Sequence, residues 1–437
     1  MKKVIPIKVD ANFGVLTQSN LAKPIDAISP LLNETTLSGL KNPPPLSLYI
    51  HIPWCVKKCP YCDFNSHESR QAIPEKRYVA ALIADLEQSV PRVYGRKIKS
   101  VFFGGGTPSL FSADSINEIL SAVRMLTPLE YDAEITLEAN PGTVDIAHFQ
   151  GYKQAGVNRI SLGIQSFHAD YLRALGRVHD DKQAIAAAEL ALSIFERVNL
   201  DMMYALPNQT LEHALQDARQ AVSLNPDHLS FYHLTLEPNT PFYRTPPSLP
   251  DDDLSADMQE KIEYLLAQNG YEHYETSAFC KPSVHHKNSQ ARHNLNYWQF
   301  GDYLGIGAGA HSKLSFHDKI TRETRYKHPK AFMENAERAA AQNSISPENG
   351  AVDSTWTIDQ KDLGFEFMMN ALRLNNGFET KLFQERTGMP WEAVSVRVAE
   401  ALKKGLVTQN LHHVNGRIEP TPLGQRYLND LLSLFLD

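Results

Sequence analysis

Three cysteines stand within eight residues of one another, and they are the strongest chemical signal in the chain. The segment 51–64 reads HIPWCVKKCPYCDF, which places Cys55, Cys59 and Cys62 in a C-x-x-x-C-x-x-C pattern. Three thiolates on one tight loop can each bind one iron of a [4Fe-4S] cube, and the fourth iron is then free. The spacing therefore predicts an iron–sulfur cluster with one open coordination position.

Two other arrangements of these cysteines stay open from the residues alone. Cys280, the fourth cysteine, lies far along the sequence and could complete the ligand set, although a lone cysteine is more often a small buried apolar side chain. A structural zinc ion completed by His51 or His67 is the second alternative. Zinc sites favour paired C-x-x-C knuckles, which this pattern lacks.

The elements that must position this loop are short β-rich runs that alternate with segments of helical period. Strands are predicted at 46–52, 100–103, 134–138, 159–165, 198–203 and 229–236, and helices are predicted to begin near Pro74, Asp114, Val144, Asp180, Thr210 and Asp253. Six β-then-α units predict parallel strands with right-handed crossovers, so we expect an α/β fold with a partial (βα)6 TIM-like barrel over residues 46–270. Functional groups should lie at the carboxyl ends of its strands.

The rest of the chain divides into three further parts. Residues 1–45 lack a hydrophobic period and end in three prolines, which indicates a loosely ordered arm. Residues 271–355 form a connecting region that contains a segment rich in His, Asn and Tyr. Residues 356–437 have helical periods and a hairpin signal at Asn415-Gly416, which predicts a mostly helical, winged-helix-like C-terminal domain.

Composition excludes several classes of protein. The 437 residues carry a formal net charge of −7, and the C-terminal domain has no excess of basic residues, so we expect no nucleic-acid partner. No stretch approaches 18 apolar residues, and the N-terminus lacks the apolar core of a secretory signal. We therefore expect no transmembrane segment and a cytoplasmic location. Four cysteines are also too few for a disulfide scaffold.

The cysteine pattern after the first barrel strand, with Tyr61 just before the last cysteine, resembles the radical S-adenosylmethionine (SAM) superfamily. Further motifs resemble the HemW-type heme chaperones, relatives of oxygen-independent coproporphyrinogen III oxidase. These motifs are LYIHIPWC, FFGGGTPS, EANPGT, RISLGIQSF, LGRVH, NLDMMYALPNQT, RHNLNYW and FMMNALRL. They run in one order from Leu46 toward the C-terminus, and the resemblance implies a barrel of the radical SAM type.

The resemblance also implies which residues contact SAM, whose amino and carboxylate groups would chelate the open iron. The positions that match are Tyr49, Tyr61, Gly105, Gly106, Thr107, Glu138, Gln165, Arg177 and Asp201. Glycines at a strand end let the backbone approach a ligand closely, and Arg177 can pair with the SAM carboxylate. Taken as bare residues, the acidic ones are equally consistent with helix caps or solvated charges.

The segment RHNLNYW carries a heme-binding expectation. A histidine can ligate heme iron, and neighbouring aromatic side chains can pack on the macrocycle. From composition alone, His293 beside Tyr297 and Trp298 is equally a hydrogen-bonded histidine in an aromatic core. The resemblance implies that His293 binds heme.

The resemblance finally implies a function with two alternatives. The leading hypothesis is a heme chaperone that passes heme to an acceptor protein and takes electrons for its cluster from a donor. Phe64 favours this hypothesis, because the oxidase relatives have a further cysteine at that position. Decarboxylation of coproporphyrinogen III by a radical mechanism is the first alternative. A non-catalytic partner protein with a purely structural cluster is the second.

Overall fold

The computed structural model describes residues 39–69, 71–282, 289–342, 350–410 and 416–436. Most of the arm predicted for residues 1–45 therefore lies outside the described residues, as does Asn415 of the predicted hairpin. At the described end of the arm, Leu40 is buried, and its N–H donates to the carbonyl of His317 at 3.1 Å.

Seventeen strands occur in the described residues. In chain order they are β1 Leu46–Ile52, β2 Trp54–Cys55, β3 His67–Glu68, β4 Ile98–Gly105, β5 Leu129–Ala139, β6 Arg159–Gln165, β7 Arg197–Tyr204, β8 His228–His233, β9 Glu272–Glu275, β10 Ala278–Cys280, β11 Asp302–Ile306, β12 His311–Ser315, β13 Ile320–Arg325, β14 Val352–Thr357, β15 Phe378–Glu379, β16 Val407–Asn410 and β17 Arg417–Pro420.

Fifteen α-helices occur in the same residues. They are α1 Glu75–Ser89, α2 Ala113–Leu126, α3 Ile146–Ala155, α4 Ala169–Ala174, α5 Asp181–Ile194, α6 Leu211–Ser223, α7 Pro241–Arg244, α8 Asp252–Gln268, α9 Arg292–Trp298, α10 Pro329–Ala341, α11 Gln360–Ala371, α12 Thr380–Thr387, α13 Glu392–Lys403, α14 Pro422–Arg426 and α15 Leu428–Ser433. No helix among the described residues combines the length and apolar character needed to cross a bilayer.

The predicted partial barrel is confirmed. Strands β1, β4, β5, β6, β7 and β8 are neighbours in this order and all pair in parallel, with crossover helices between successive strands. Side chains alternate along each strand. In β6, for example, Ile160 and Leu162 belong to the hydrophobic core, whereas Ser161 hydrogen-bonds to the side chain of Asp201 on β7. The barrel is therefore apolar toward its helices and polar inside.

The region 271–355, to which the sequence analysis assigned no strands, extends this sheet on both sides. Strand β11 pairs in parallel with β1, and β12, β13 and β14 follow in antiparallel order. Strand β13 reads ITRETR and is buried along its whole length because its charges are paired: Arg325 contacts Asp85 and Glu323. Such a strand lacks the apolar alternation by which strands are recognised.

The C-terminal part contains helices α11 to α15 and the small antiparallel sheet β15-β17-β16, in agreement with the predicted helical, winged-helix-like fold. Its hydrophobic core is separate from that of the barrel and is centred on Phe367, which contacts Phe378 and Phe383 edge-to-face.

Candidate functional site

The cysteine loop leaves the carboxyl end of β1 and is held against the end of β4. The N–H of Thr107 donates to the carbonyl of Trp54 at 2.7 Å, and the N–H of Cys62 donates to the carbonyl of Cys59 at 3.2 Å. All three thiols of the loop are free and partly buried. The loop thus presents three sulfur ligands at the rim where functional groups of such barrels lie.

The two alternatives for the cysteines receive no support from the geometry. Both ring nitrogens of His51 already have partners, because Nδ1 lies 2.9 Å from the Tyr49 hydroxyl and Nε2 lies 2.9 Å from the carbonyl of Asn65. The Nε2 atom of His67 lies 3.4 Å from the carbonyl of Lys327. Cys280 pairs with His228 at the amino end of β8, which is the opposite end of the barrel.

Residues Gly105 to Thr107 form a tight turn beneath the loop. Gly105 has φ +117°, which is favourable only for glycine, and a Cβ atom on Gly106 would lie 2.5 Å from the carbonyl oxygen of Trp54. The glycines therefore allow the β4 turn and the residue before Cys55 to touch through their backbones.

Replacing Gly106 with alanine is expected to push the cysteine loop away from β4 and to lower the iron bound per chain after anaerobic reconstitution. The contact is with backbone, which cannot move aside like a side chain. Gly142→Ala is the control, because the atom nearest to a Cβ atom there is the Val178 methyl at 3.3 Å, and no backbone atom is among its close neighbours. Equal iron content in the two variants would contradict this role for Gly106.

Two acidic residues face each other across the barrel interior. The carboxylate of Glu138 accepts from the N–H of Gly105 at 3.2 Å. Burial and the nearby charge of Asp201 raise the pKa of Glu138 to about 8, against a smaller opposing effect of the Gly105 hydrogen bond. Burial also raises the pKa of Asp201, although Ser161 and Asn199 donate to its two oxygens at 2.8 Å. This pair is suited to a cationic ligand.

Gln165 and Arg177 lie together at the end of β6. Gln165 adopts φ +65°, an uncommon conformation for a side-chain-bearing residue, and its buried Oε1 lacks a hydrogen-bond partner in the described residues. Arg177 donates to the carbonyl of Gly163 at 2.8 Å and to the thiol of Cys59 at 3.7 Å. A strained backbone and an unsatisfied buried oxygen beside a cation are features of a ligand site.

The two tyrosines of the predicted set lie on opposite sides of this site. Tyr49 is on β1 and stacks on Phe102, with ring centroids 6.1 Å apart. Tyr61 lies in the cysteine loop and packs on Phe242, with centroids 6.4 Å apart. Glu138, Gln165 and the turn from Gly105 to Thr107 thus lie at strand ends, whereas Tyr49 lies in the middle of β1.

The segment RHNLNYW is located elsewhere. It forms helix α9 at the amino end of the barrel, where Arg292 pairs with Asp132 near the beginning of β5. His293 points inside, is 6% exposed, and has its Nδ1 atom 3.1 Å from the carboxylate of Glu134. Its ring lies on Phe102, with centroids 4.1 Å apart. Glu134 precedes Glu138 by four residues, which separates the two positions by about 13 Å along β5, so the contact with Glu134 places His293 toward the amino end of the barrel interior.

The other aromatic residues of α9 are also packed internally. Tyr297 meets Tyr303 edge-to-face at 4.8 Å, and the guanidinium of Arg373 lies 4.2 Å above the Trp298 ring. Helix α9 therefore closes the amino end of the barrel.

Sequence reasoning missed the polar groups inside the barrel, chiefly Glu134, Asn199 and His228. Burial would raise the pKa of Glu134, but the hydrogen bond from His293 and the charges of Arg159 and Arg197 hold it well below its usual range. A signal was present, since polar residues alternate with apolar ones in strands that should be buried on both faces.

Comparison with known proteins agrees with this architecture. The Radical SAM superfamily model matches residues 49–221. The chain is 47% identical to heme chaperone HemW of Escherichia coli over 395 residues, which cover 90% of this chain and 98% of the relative. The chain belongs to the HemW family. HemW of Haemophilus influenzae (46% identity, 90% and 98% coverage) and HemW of Bacillus subtilis (32%, 89% and 99%) are further members.

The C-terminal part matches a second model, the HemN C-terminal domain, over residues 358–427. Among solved structures, coproporphyrinogen III oxidase from Escherichia coli superposes with a TM-score of 0.74 and 22% identity, covering 91% of this chain and 92% of the oxidase chain. At this identity the similarity to the oxidase establishes a shared fold and nothing about activity.

Proposed function

We propose that this protein is a heme chaperone that binds heme, passes it to an acceptor protein, and carries a [4Fe-4S] cluster with SAM at the rim of its barrel. The observation that carries the proposal is the free cysteine triplet packed on the glycine turn of β4, in a chain 47% identical to a heme chaperone. Cys55, Cys59 and Cys62 would hold the cluster, which an external donor protein would reduce.

The rim fits SAM by its own chemistry. The unsatisfied Gln165 Oε1 can accept a hydrogen bond, Arg177 can bind a carboxylate, and Glu138 with Asp201 can bind hydroxyl or ammonium groups. Gly105 and Gly106 let the β4 turn pack against the cysteine loop, and Tyr61 packs on Phe242 beside it. When bound, the reduced cluster supplies an electron at low potential to the sulfonium of SAM.

Heme is the cargo, and the geometry of α9 constrains how His293 would bind it. The Nδ1 atom of His293 faces an ionised carboxylate, so Nδ1 carries the hydrogen and Nε2 keeps the lone pair that an iron ion needs. Burial lowers the pKa of His293, which favours the neutral form. Because the His293 ring is inside the barrel, heme ligation requires α9 to move so that His293 separates from Glu134 and becomes accessible.

The test is anaerobic reconstitution followed by two separate assays. We expect stoichiometric heme uptake in a titration, and no repeated turnover of coproporphyrinogen III with reductant and SAM. Multiple turnovers would instead establish the oxidase activity that Phe64 argues against. A protein that holds its cluster but takes up neither heme nor SAM would be the non-catalytic partner protein.

SAM binding is expected to release a proton from Glu138. With a pKa of about 8, this carboxyl is mostly protonated at pH 7, and a cationic ligand favours its ionised form. Binding should therefore release close to one proton more in the wild type than in Glu138→Gln, and affinity should rise more steeply between pH 7 and 9 in the wild type than in that variant. Calorimetry in buffers of different ionisation enthalpy measures this difference, and equal proton release would contradict it.

Arg177→Ala should weaken SAM binding by about 1.5 to 3 kcal/mol, or roughly tenfold or more, because one charge-assisted hydrogen bond is lost. Arg173→Ala is the matched control, since that exposed guanidinium pairs only with Asp170 among the described residues and lies outside the rim. Calorimetry on the two reconstituted variants tests the assignment, and unchanged affinity in Arg177→Ala would remove Arg177 from the site.

A further inference from the structure

The inside of the barrel holds a continuous chain of buried hydrogen bonds that runs from the rim to α9. Asn199 Nδ2 donates to Asp201 Oδ1 at 2.8 Å, and Asn199 Oδ1 lies 2.7 Å from His228 Nδ1. His228 Nε2 lies 2.9 Å from the hydroxyl of Tyr274. That hydroxyl accepts from the N–H of Ala291, the residue at the N-terminus of α9, at 3.2 Å.

The direction of each bond in this chain is determined by its neighbours. The oxygen of Asn199 can only accept, so Nδ1 of His228 carries a hydrogen. Since burial keeps the imidazole neutral by lowering its pKa, Nε2 of His228 must accept from the Tyr274 hydroxyl. The Tyr274 oxygen then accepts from Ala291. Every donor points toward Asp201, and a reversal at one link would leave a buried group unpaired.

Asn199 has no unused hydrogen-bonding capacity. Besides Asp201, its Nδ2 donates to the hydroxyl of Ser161 at 2.8 Å, and besides His228, its Oδ1 accepts from Ser230 at 3.0 Å. Both donors and both acceptors of the amide are thus occupied. A side chain fixed from four directions transmits a displacement of Asp201 rather than absorbing it.

We propose that Asn199, His228 and Tyr274 are positioning residues that couple SAM binding at Asp201 to the packing of α9 against the barrel. This inference rests on the proposed function, because it takes Asp201 as a SAM contact. SAM fixes the Asp201 carboxylate, the chain of donors then holds Ala291, and α9 stays on the barrel with His293 inside. SAM and heme therefore bind with negative cooperativity. SAM stabilises the conformation in which α9 packs on the barrel, and heme ligation requires α9 to move out of that position.

The experiment measures hydrogen exchange of the α9 amides in the reconstituted protein with and without SAM, a readout that requires no heme. Tyr274→Phe removes the hydroxyl that accepts from the N–H of Ala291 at the start of α9. Tyr271→Phe is the matched control, because this nearby buried tyrosine donates to the carbonyl of Pro226 and is outside the chain. Should Tyr274→Phe not retain its cluster, His228→Leu interrupts the chain one link earlier, because leucine can neither donate nor accept a hydrogen bond.

We expect SAM to slow exchange in α9 by about fivefold or more in the wild type and in Tyr271→Phe, and by less than about twofold in Tyr274→Phe. Heme should lower SAM affinity by the same factor by which SAM lowers heme affinity, because coupling is reciprocal. If SAM binds and α9 exchange does not change, the coupling is wrong while the SAM site stands. If calorimetry finds no SAM binding, the proposed function fails and the coupling fails with it.

Discussion

Replacing any one of Cys55, Cys59 or Cys62 with serine is expected to remove most of the iron and sulfide from the anaerobically reconstituted protein. The three thiols share one loop, and each would hold a different iron of the cube, so no neighbouring cysteine can replace a lost ligand. Iron and sulfide analysis together with the visible absorption spectrum measure the effect.

Cys280→Ser is the control for this series. Cys280 is buried on β10 opposite His228, at the end of the barrel away from the loop, and its replacement should leave cluster content unchanged. A normal cluster in Cys59→Ser, or a loss of iron confined to Cys280→Ser, would show that the ligand set is wrong.

Loss of His293 is expected to abolish the absorption signature of histidine-ligated heme. An axial imidazole changes the ligand field of the iron, so His293→Ala should alter the spectrum even where heme still adheres to apolar surface. Heme titration followed by absorption spectroscopy measures this. His148→Ala, at an exposed histidine on α3, controls for nonspecific coordination by surface imidazoles.

Replacing Glu134, the partner of His293, is expected to have the opposite effect and to strengthen heme binding. Releasing His293 breaks a charge-assisted hydrogen bond worth about 1.5 to 3 kcal/mol. Glu134→Gln should therefore tighten heme binding by roughly tenfold while leaving its spectrum unchanged. Trp298→Leu should weaken binding without a spectral change. An unchanged spectrum in His293→Ala would place the iron ligand elsewhere.

The barrel could be predicted because each of its strands and turns is marked by residues close together in the sequence. Strand β1 and strand β6 have the predicted bounds, since each is a short run rich in β-formers between clear turn residues. The cysteine loop and the glycine turn follow strand ends, and parallel strands bring their carboxyl ends to one rim. The rim residues could therefore be grouped before their distances were known.

What could not be predicted depends on contacts between distant parts of the chain. Strand β13 is buried through ion pairs with α1, so its own residues resemble a solvated segment. The position of His293 is set by Glu134, which is 159 residues away in sequence and has no local feature that marks it as a partner. A motif on a helix also does not reveal which end of a barrel the helix closes.

The position of β11 beside β1 has a consequence for synthesis on the ribosome. Strand β1 leads directly into the cysteine loop, yet its neighbour on one side is Asp302–Ile306, made some 250 residues later. At 5 to 20 residues per second, the β1 edge stays unpaired for roughly 10 to 50 s in each nascent chain. An unpaired edge recruits other strands. The cysteine loop thus follows the strand edge that is most exposed to mispairing, which favours insertion of the proposed cluster after the chain has left the ribosome.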